Sequence, residues 1–265
     1  MQGTNIDLIL DELENSNSNT TRFSENWSQG RSAYGGLAAA FAVTAMRKKL
    51  AQAQTIRSLM VSFIAPVAAG EVTVEASLLR QGKNVSQCSA NVISQGQIAL
   101  QAMAAFGNSR EAFEPPRQAI KELPDRNSGI AFSDNSKQTP HFLQYFDGCW
   151  IGGGIPFSGN YKPFLNLWVR HKQDVSRFPV EKLLAIADIP PPVLLSHFDK
   201  PPVPASSLSW SLEFIEAPES ISSEWFYMEF EVDAAADGYT QQSGKIYDES
   251  GRLIALTRQC MVYFG

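Results

Sequence analysis

Few side chains in this sequence are spaced for chemistry. His141, His171 and His197 lie far apart, and none has a second histidine three or four residues away to hold a metal on one helical face. Cys88, Cys149 and Cys260 are as scattered, which fits neither a disulfide framework nor a CxxC knuckle, and we read them as small buried hydrophobes. No Gly-x-Ser-x-Gly elbow occurs, and no histidine has a motif-level partner for a Ser-His-Asp triad, which argues against a covalent serine hydrolase. The run Gly152-Gly153-Gly154-Ile155-Pro156-Phe157-Ser158-Gly159 lacks the Gly-Lys-Ser/Thr ending of a phosphate loop and reads as a flexible connector. What remains is Tyr34-Gly35-Gly36, directly before an alanine-rich stretch. A helix starting there would offer free backbone N–H groups and the positive end of its dipole to a carbonyl oxygen, with glycine allowing close approach. Neither a metal nor a cofactor is expected.

The elements that must position this start are legible. From Leu37 to Gln52 the chain is Ala-rich, lacks Pro and Gly, and carries Arg47-Lys48-Lys49 near its end, cations suited to the negative end of a helix dipole. This predicts a long helix from Gly35-Gly36, its Ala-rich faces packed on a sheet and Arg47 to Lys49 in solvent. A short helix at Ile6 to Leu13 and a polar loop over residues 14–25 precede it, with order resuming at Trp27. Extended runs follow at 56–65, 71–81, 84–94 and 98–106, broken by Pro66 and Gly70, Gly82-Lys83 and Gln95-Gly96-Gln97. Thr73, Glu75 and Ser77 alternate with Val74, Ala76 and Leu78, as in a sheet with one wet face and one face under the helix.

Residues 107–140 lose this pattern under Pro115, Pro116, Pro124 and Pro140 and read as a linker. Beyond them come a strand at Phe164 to Arg170, a helix at Val180 to Asp188, the breaker Pro190-Pro191-Pro192, and strands at 207–215, 224–234, 240–248 and 253–264. The halves echo one another. Ser58 to Pro66 resembles Ser207 to Pro218, and Ser94-Gln95-Gly96-Gln97-Ile98-Ala99 resembles Glu249-Ser250-Gly251-Arg252-Leu253-Ile254-Ala255. The fold class that follows is α+β, an internal duplication: an N-terminal unit over 1–110, a linker over 111–140 and a C-terminal unit over 141–265.

Composition narrows the partners. The 265 residues carry a formal charge of -5, with 44% hydrophobic and 18% charged side chains, the profile of an ordinary, mildly acidic globular protein. The densest basic cluster is Arg47-Lys48-Lys49, too small for a nucleic-acid footprint. The longest apolar run, Gly35 to Met46, is shorter than the ~20 residues a bilayer needs, so no membrane span is expected. The first residues lack the basic start and apolar centre of a signal peptide, from which a cytoplasmic location is expected. A homo-oligomer is compatible with all of this.

The segments Trp27-Ser28-Gln29-Gly30-Arg31-Ser32-Ala33-Tyr34-Gly35-Gly36 and Phe63-Ile64-Ala65-Pro66 resemble the acyl-CoA thioesterase II-like proteins. The likeness continues at Trp168-Val169-Arg170, at Ala187-Asp188-Ile189-Pro190-Pro191-Pro192 and at Ala255-Leu256-Thr257-Arg258-Gln259, covering roughly residues 20 to 264. It implies a double hotdog, two units each with a long helix wrapped by an antiparallel sheet and joined edge to edge. It also implies a small-molecule acyl-CoA substrate, hydrolysed at the unit interface by direct water attack. The other double-hotdog class, the enoyl-CoA hydratases, is disfavoured because no Asp-x-Asn-x-x-His spacing occurs.

The same resemblance implies a water held by an Asp on the second unit's first long strand, a Thr or Ser on the next strand, and a Gln on the last. Gln259 matches the Gln, and its amide can orient a nucleophile without changing charge. The Asp position falls on Ser209, which cannot accept a proton at neutral pH. Glu213 and Asp233 are the carboxylates that could replace it, and Asp233 is preferred. The expected set is therefore Gln259, Ser209 and Asp233 around the water, with the thioester carbonyl at Tyr34, Gly35 and Gly36. The departure at Ser209 leaves a rival reading, an acyl-CoA binding protein that has lost its base.

Overall fold

The computed structural model describes residues 4–117, 119–132 and 139–264. The chain opens with α1 (Ile6–Asn15), β1 (Thr20–Phe23), the short pair β2 (Ser28–Gln29) and β3 (Ser32–Ala33), and α2 (Gly35–Arg47). Then come β4 (Thr55–Phe63), β5 (Gly70–Gln81), β6 (Val85–Ser94) and β7 (Gln97–Gly107). The second half holds β8 (Ile130–Ala131), β9 (Phe146–Gly153), β10 (Phe164–His171), α3 (Pro179–Ala187), β11 (Ala205–Phe214), β12 (Phe226–Ala236), β13 (Tyr239–Tyr247) and β14 (Leu253–Tyr263).

One antiparallel sheet runs through the molecule in the order β1-β5-β6-β7-β4-β11-β14-β13-β12-β10-β9-β8. Its two halves meet where β4 pairs with β11, Ser62 opposite Ser209 and Ser58 opposite Glu213. The order β5-β6-β7-β4 in one half is answered by β12-β13-β14-β11 in the other, so the duplication is a double hotdog with the repeats sharing a sheet edge. That junction removes two open edges at once.

Each half wraps its sheet around one helix. Within α2, every residue from Gly36 to Met46 is buried, and alanine at 38, 39, 40, 42 and 45 lets the helix approach the strands and α3 closely. The two helices run antiparallel, since Tyr34 and Gly36 lie against Ala185 while Thr44 and Arg47 bond Glu181. Glu181 is fully buried, and its carboxylate accepts from the Thr44 hydroxyl at 3.0 Å and the Arg47 guanidinium at 3.2 Å, which fixes the helix register. Ala40→Leu is expected to overpack this seam and lower stability by ~1–3 kcal/mol. A thermal melt identical to the parent's would show that α2 is not central.

Three expectations need correction. The central helix ends at Arg47, not Gln52, and two of the three cations expected in solvent serve neighbouring elements, while Lys49 is exposed as expected. Arg47 pairs with Glu181, and the Lys48 ammonium donates to the carbonyls of Leu13 and Ser16 at the end of α1. The polar stretch before Trp27 contains β1, because Thr21 and Phe23 alternate inward and the strand completes the edge of β5. Gly152 and Gly153 are no connector but lie in β9, opposite Asn166 and Leu165. Gly153 has φ +86°, and a side chain there would strike the Phe164 backbone. The linker is docked: the Trp168 indole N–H donates to Pro124 O and the Lys121 N–H to Gly251 O. Ile130–Ala131 closes the sheet edge beside β9.

Candidate active site

Side chains of a strand alternate between faces, so register decides which candidates can meet. On β14 the buried Thr257, Gln259 and Met261 face the helices, while Arg258 points outward. Gln259 is paired across the sheet with Trp210 on β11 and Gln242 on β13, all three buried on the inner face. The Trp210 indole donates to the Thr257 hydroxyl at 2.7 Å, locking that row.

Ser209 pairs with Cys260 and Ser62 and is exposed on the outer face. Asp233 sits at the β12 bulge and is held by the Ser243 hydroxyl at 3.0 Å and Arg258 at 3.6 Å, also outside. Glu213 shares that face. The structure therefore does not bring Ser209 or Asp233 to Gln259; the sheet lies between them. Period two separates Ser209 from Trp210, and the sequence alone did not say which of the two faced in.

The partner of Gln259 is Asp188. This residue ends α3, and its Oδ1 accepts from the Gln259 amide at 2.7 Å. It also accepts the backbone N–H of Gly36 at the start of α2. The densely packed surroundings, reaching it from both units, push its carboxyl up to about 7, with the Gln259 and Gly36 hydrogen bonds pulling the other way. Yet Asp188 is not sealed, for the residue keeps partial exposure, as do Gly35 and Phe63 beside it. A methyl group on Gly35 would stand 2.6 Å from Asp188 Oδ2 and 3.0 Å from the Phe63 ring, so these three form a narrow mouth.

The tripeptide singled out from sequence divides by role. Tyr34 is fully buried, stacked on Phe142, and its hydroxyl donates to Ala185 O, so it braces α2 against α3. Burial beside Asp188 raises its phenol well above the ordinary value. The Gly36 N–H is engaged by Asp188. The Gly35 N–H precedes the first intrahelical bond, Ala38 N–H to Tyr34 O, and lies at the mouth. A β-bulge at Ser207/Ser209 returns Ser207 to the inner face, opposite Met261 and one step along from Gln259.

Asp188 carried a signal that reasoning from motif spacing passed over. A carboxylate at the C-terminal end of a helix opposes the dipole there, and three prolines follow it almost at once. An acid kept at an unfavourable position invites a functional reading. His171, by contrast, is a buried core residue against Phe146, its Nε2 at 3.1 Å from Lys182 O, and burial lowers its pKa to about 4.

Solved structures share this architecture. A protein of unknown function with a hot dog fold from Alicyclobacillus acidocaldarius superposes with a TM-score of 0.84 at 19% identity, over 97% of this chain and 98% of that one. The acyl-CoA thioesterase II TesB2 from Mycobacterium marinum gives 0.76 at 17% identity, over 98% of each chain. A tesB protein from Mycobacterium avium subs paratuberculosis gives 0.77 at 17% identity, again over 98% of each. No curated protein matches the chain with significance. Residues 23–107 match the acyl-CoA thioesterase N-terminal domain and residues 120–263 the acyl-CoA thioesterase C-terminal domain, so the chain belongs to the two-domain acyl-CoA thioesterase family.

Proposed function

We propose that this protein hydrolyses acyl-CoA thioesters to free acid and CoA, with Asp188 as the general base. The observation that carries the reading is a carboxylate held by Gln259 and by the Gly36 N–H where the two units meet, pushed up to about 7 by burial and still partly exposed beside Gly35 and Phe63. A base near the operating pH combines availability with proton-accepting strength.

Substrate enters past Phe63 and places its carbonyl oxygen at the Gly35 N–H, where the α2 dipole favours developing negative charge. Water at Asp188 Oδ2 attacks the carbonyl carbon as its proton passes to the carboxylate. The tetrahedral intermediate then expels the CoA thiolate, which recovers that proton, and the free acid leaves. Ser207 adds a hydroxyl on this face to orient the water. Asp188 supplies the carboxylate whose absence at Ser209 was the support for a binding protein without turnover.

A screen of saturated acyl-CoA lengths with a thiol reagent tests the reading. Thiol release that follows enzyme concentration is expected. Acyl-CoA binding without release at any length would give the site to the binding-protein alternative.

A further inference from the structure

Gln242 is fully buried on β13, directly across from Gln259. Its Oε1 lies 3.0 Å from the backbone N–H of Val193, in the turn that follows Asp188 and its prolines. A backbone N–H can only donate, so the oxygen end of Gln242 must face it. The Gln242 amide nitrogen is then turned to Gln259, whose Oε1 accepts at 3.5 Å. That leaves the Gln259 nitrogen for Asp188 Oδ1, at 2.7 Å. Read from the Val193 N–H, which cannot be reversed, every link has one direction, and it is the direction that an ionised Asp188, able only to accept, requires at the other end.

We propose that Gln242 is a positioning residue that fixes which end of the Gln259 amide faces Asp188. The inference rests on the reading of Asp188 as the base. Without Gln242 the two Gln259 orientations, half a turn apart, are no longer distinguished from behind. The reversed one points a carbonyl oxygen at Asp188, repelling the carboxylate and accepting a hydrogen bond from the acid. The relay has a second consequence: the Gln259 oxygen is engaged by Gln242, so Gln259 offers the reacting groups its remaining N–H, as a donor.

The groups facing Asp188 from each packed element are the Tyr34 hydroxyl and Gly36 N–H at the start of α2, Phe63 at the end of β4, and Gln259 on β14. Tyr34 is neutral through the working range, since its phenol is raised. A moved titration therefore reports on the Gln259 end.

The test is Gln242→Met, which keeps the length of the side chain and dictates no polarity, with Gln242→Leu as the second variant. Both are read in the full-length protein against the parent. The expected result is kcat lower by about fivefold at pH 7 with KM near the parent's, and an acid limb of kcat/KM displaced upward by about one pH unit. The Asp188 carboxyl carbon, followed by NMR, should titrate higher by the same amount, a readout that needs no turnover. A residue that only packs would lower the Tm and leave both titrations in place, and that result overturns the proposal. Failure of the base reading looks different: Asp188→Asn would retain parental turnover. Should neither Gln242 variant fold, the parent decides. A Gln259 side-chain N–H correlated with the Asp188 carboxyl supports the relay, and a Gln259 amide with no such N–H overturns it.

Discussion

Asp188→Asn is expected to lower kcat by about 10²- to 10⁴-fold, the range that general-base catalysis contributes, with little change in KM. Asparagine keeps the size of the side chain and an oxygen for the Gln259 amide but cannot take a proton from water. In the parent the active form is the ionised one, so kcat/KM should rise tenfold per pH unit below about 7 and level off above it. The same shift has a sign in stability. An unfolded aspartate ionises near ~3.9, so between ~4 and about 7 the folded chain holds the extra proton and loses stability as pH rises. His171 slopes the other way, from ~6.5 down to about 4, because its folded form resists protonation. Subtracting the Tm profile of the Asn variant from the parent's cancels His171 and isolates Asp188. Parental turnover in the variant, or a difference profile flat between pH 4 and 7, would remove Asp188 from the role of base.

The fold was readable because each of its signals is local. An Ala-rich run without Pro or Gly makes α2, alternation makes β5 through β7, and the corner after Phe63 recurs after Phe214. Helix ends were less legible: Lys48 leaves α2 to meet two carbonyls of α1, contacts that sequence spacing does not show. Within the site, Gln259 could be placed on the last strand from the resemblance, and the structure turns it to the buried inner face, which the sequence did not say. Its partners could not be placed. Ser209 and Asp233 lie near Gln259 along strands, yet a face is a matter of parity, and bulges at Ser207/Ser209 and Val232/Ala234 reset parity in both strands. Asp188 and Gln259 belong to the same unit yet stand 71 residues apart, with β11, β12 and β13 between them, and they meet because the end of α3 comes against the inner face of β14. The remaining groups of the site, Gly35, Gly36 and Phe63, come from the other unit, so the whole set is assembled by helix and strand packing and no fixed spacing in the sequence marks it.

The glycine pair offers a sharp contrast, since its two members differ in what a single methyl group would meet. At Gly35 the new carbon would press on Asp188 Oδ2 at 2.6 Å and on the Phe63 ring at 3.0 Å and 3.2 Å, all side-chain atoms able to yield. Gly35→Ala should fold, then, and melt near the parent, but the carboxylate must leave the place where Gln259 and Gly36 hold it. Misplacement by about 1 Å costs on the order of 10²-fold in rate, and the occluded mouth should raise KM as well. At Gly36 the carbon would stand 2.9 Å from the Ala185 Cα and 3.0 Å from the Leu184 carbonyl, backbone atoms of α3. Neither helix can yield there without moving the other, because Thr44, Arg47 and Glu181 clamp the far end of the same seam. Gly36→Ala is therefore expected to lose ~1–3 kcal/mol, a fall of several degrees in Tm for a chain of this size. It should lose activity too, through the displaced C-terminal end of α3 that carries Asp188. Calorimetry and turnover measured on the same two variants separate these effects. A Gly35→Ala protein with parental kcat and KM would mean that substrate does not pass between Phe63 and Asp188. A Gly36→Ala protein as stable as the parent would mean that the two helices are not in backbone contact at this point.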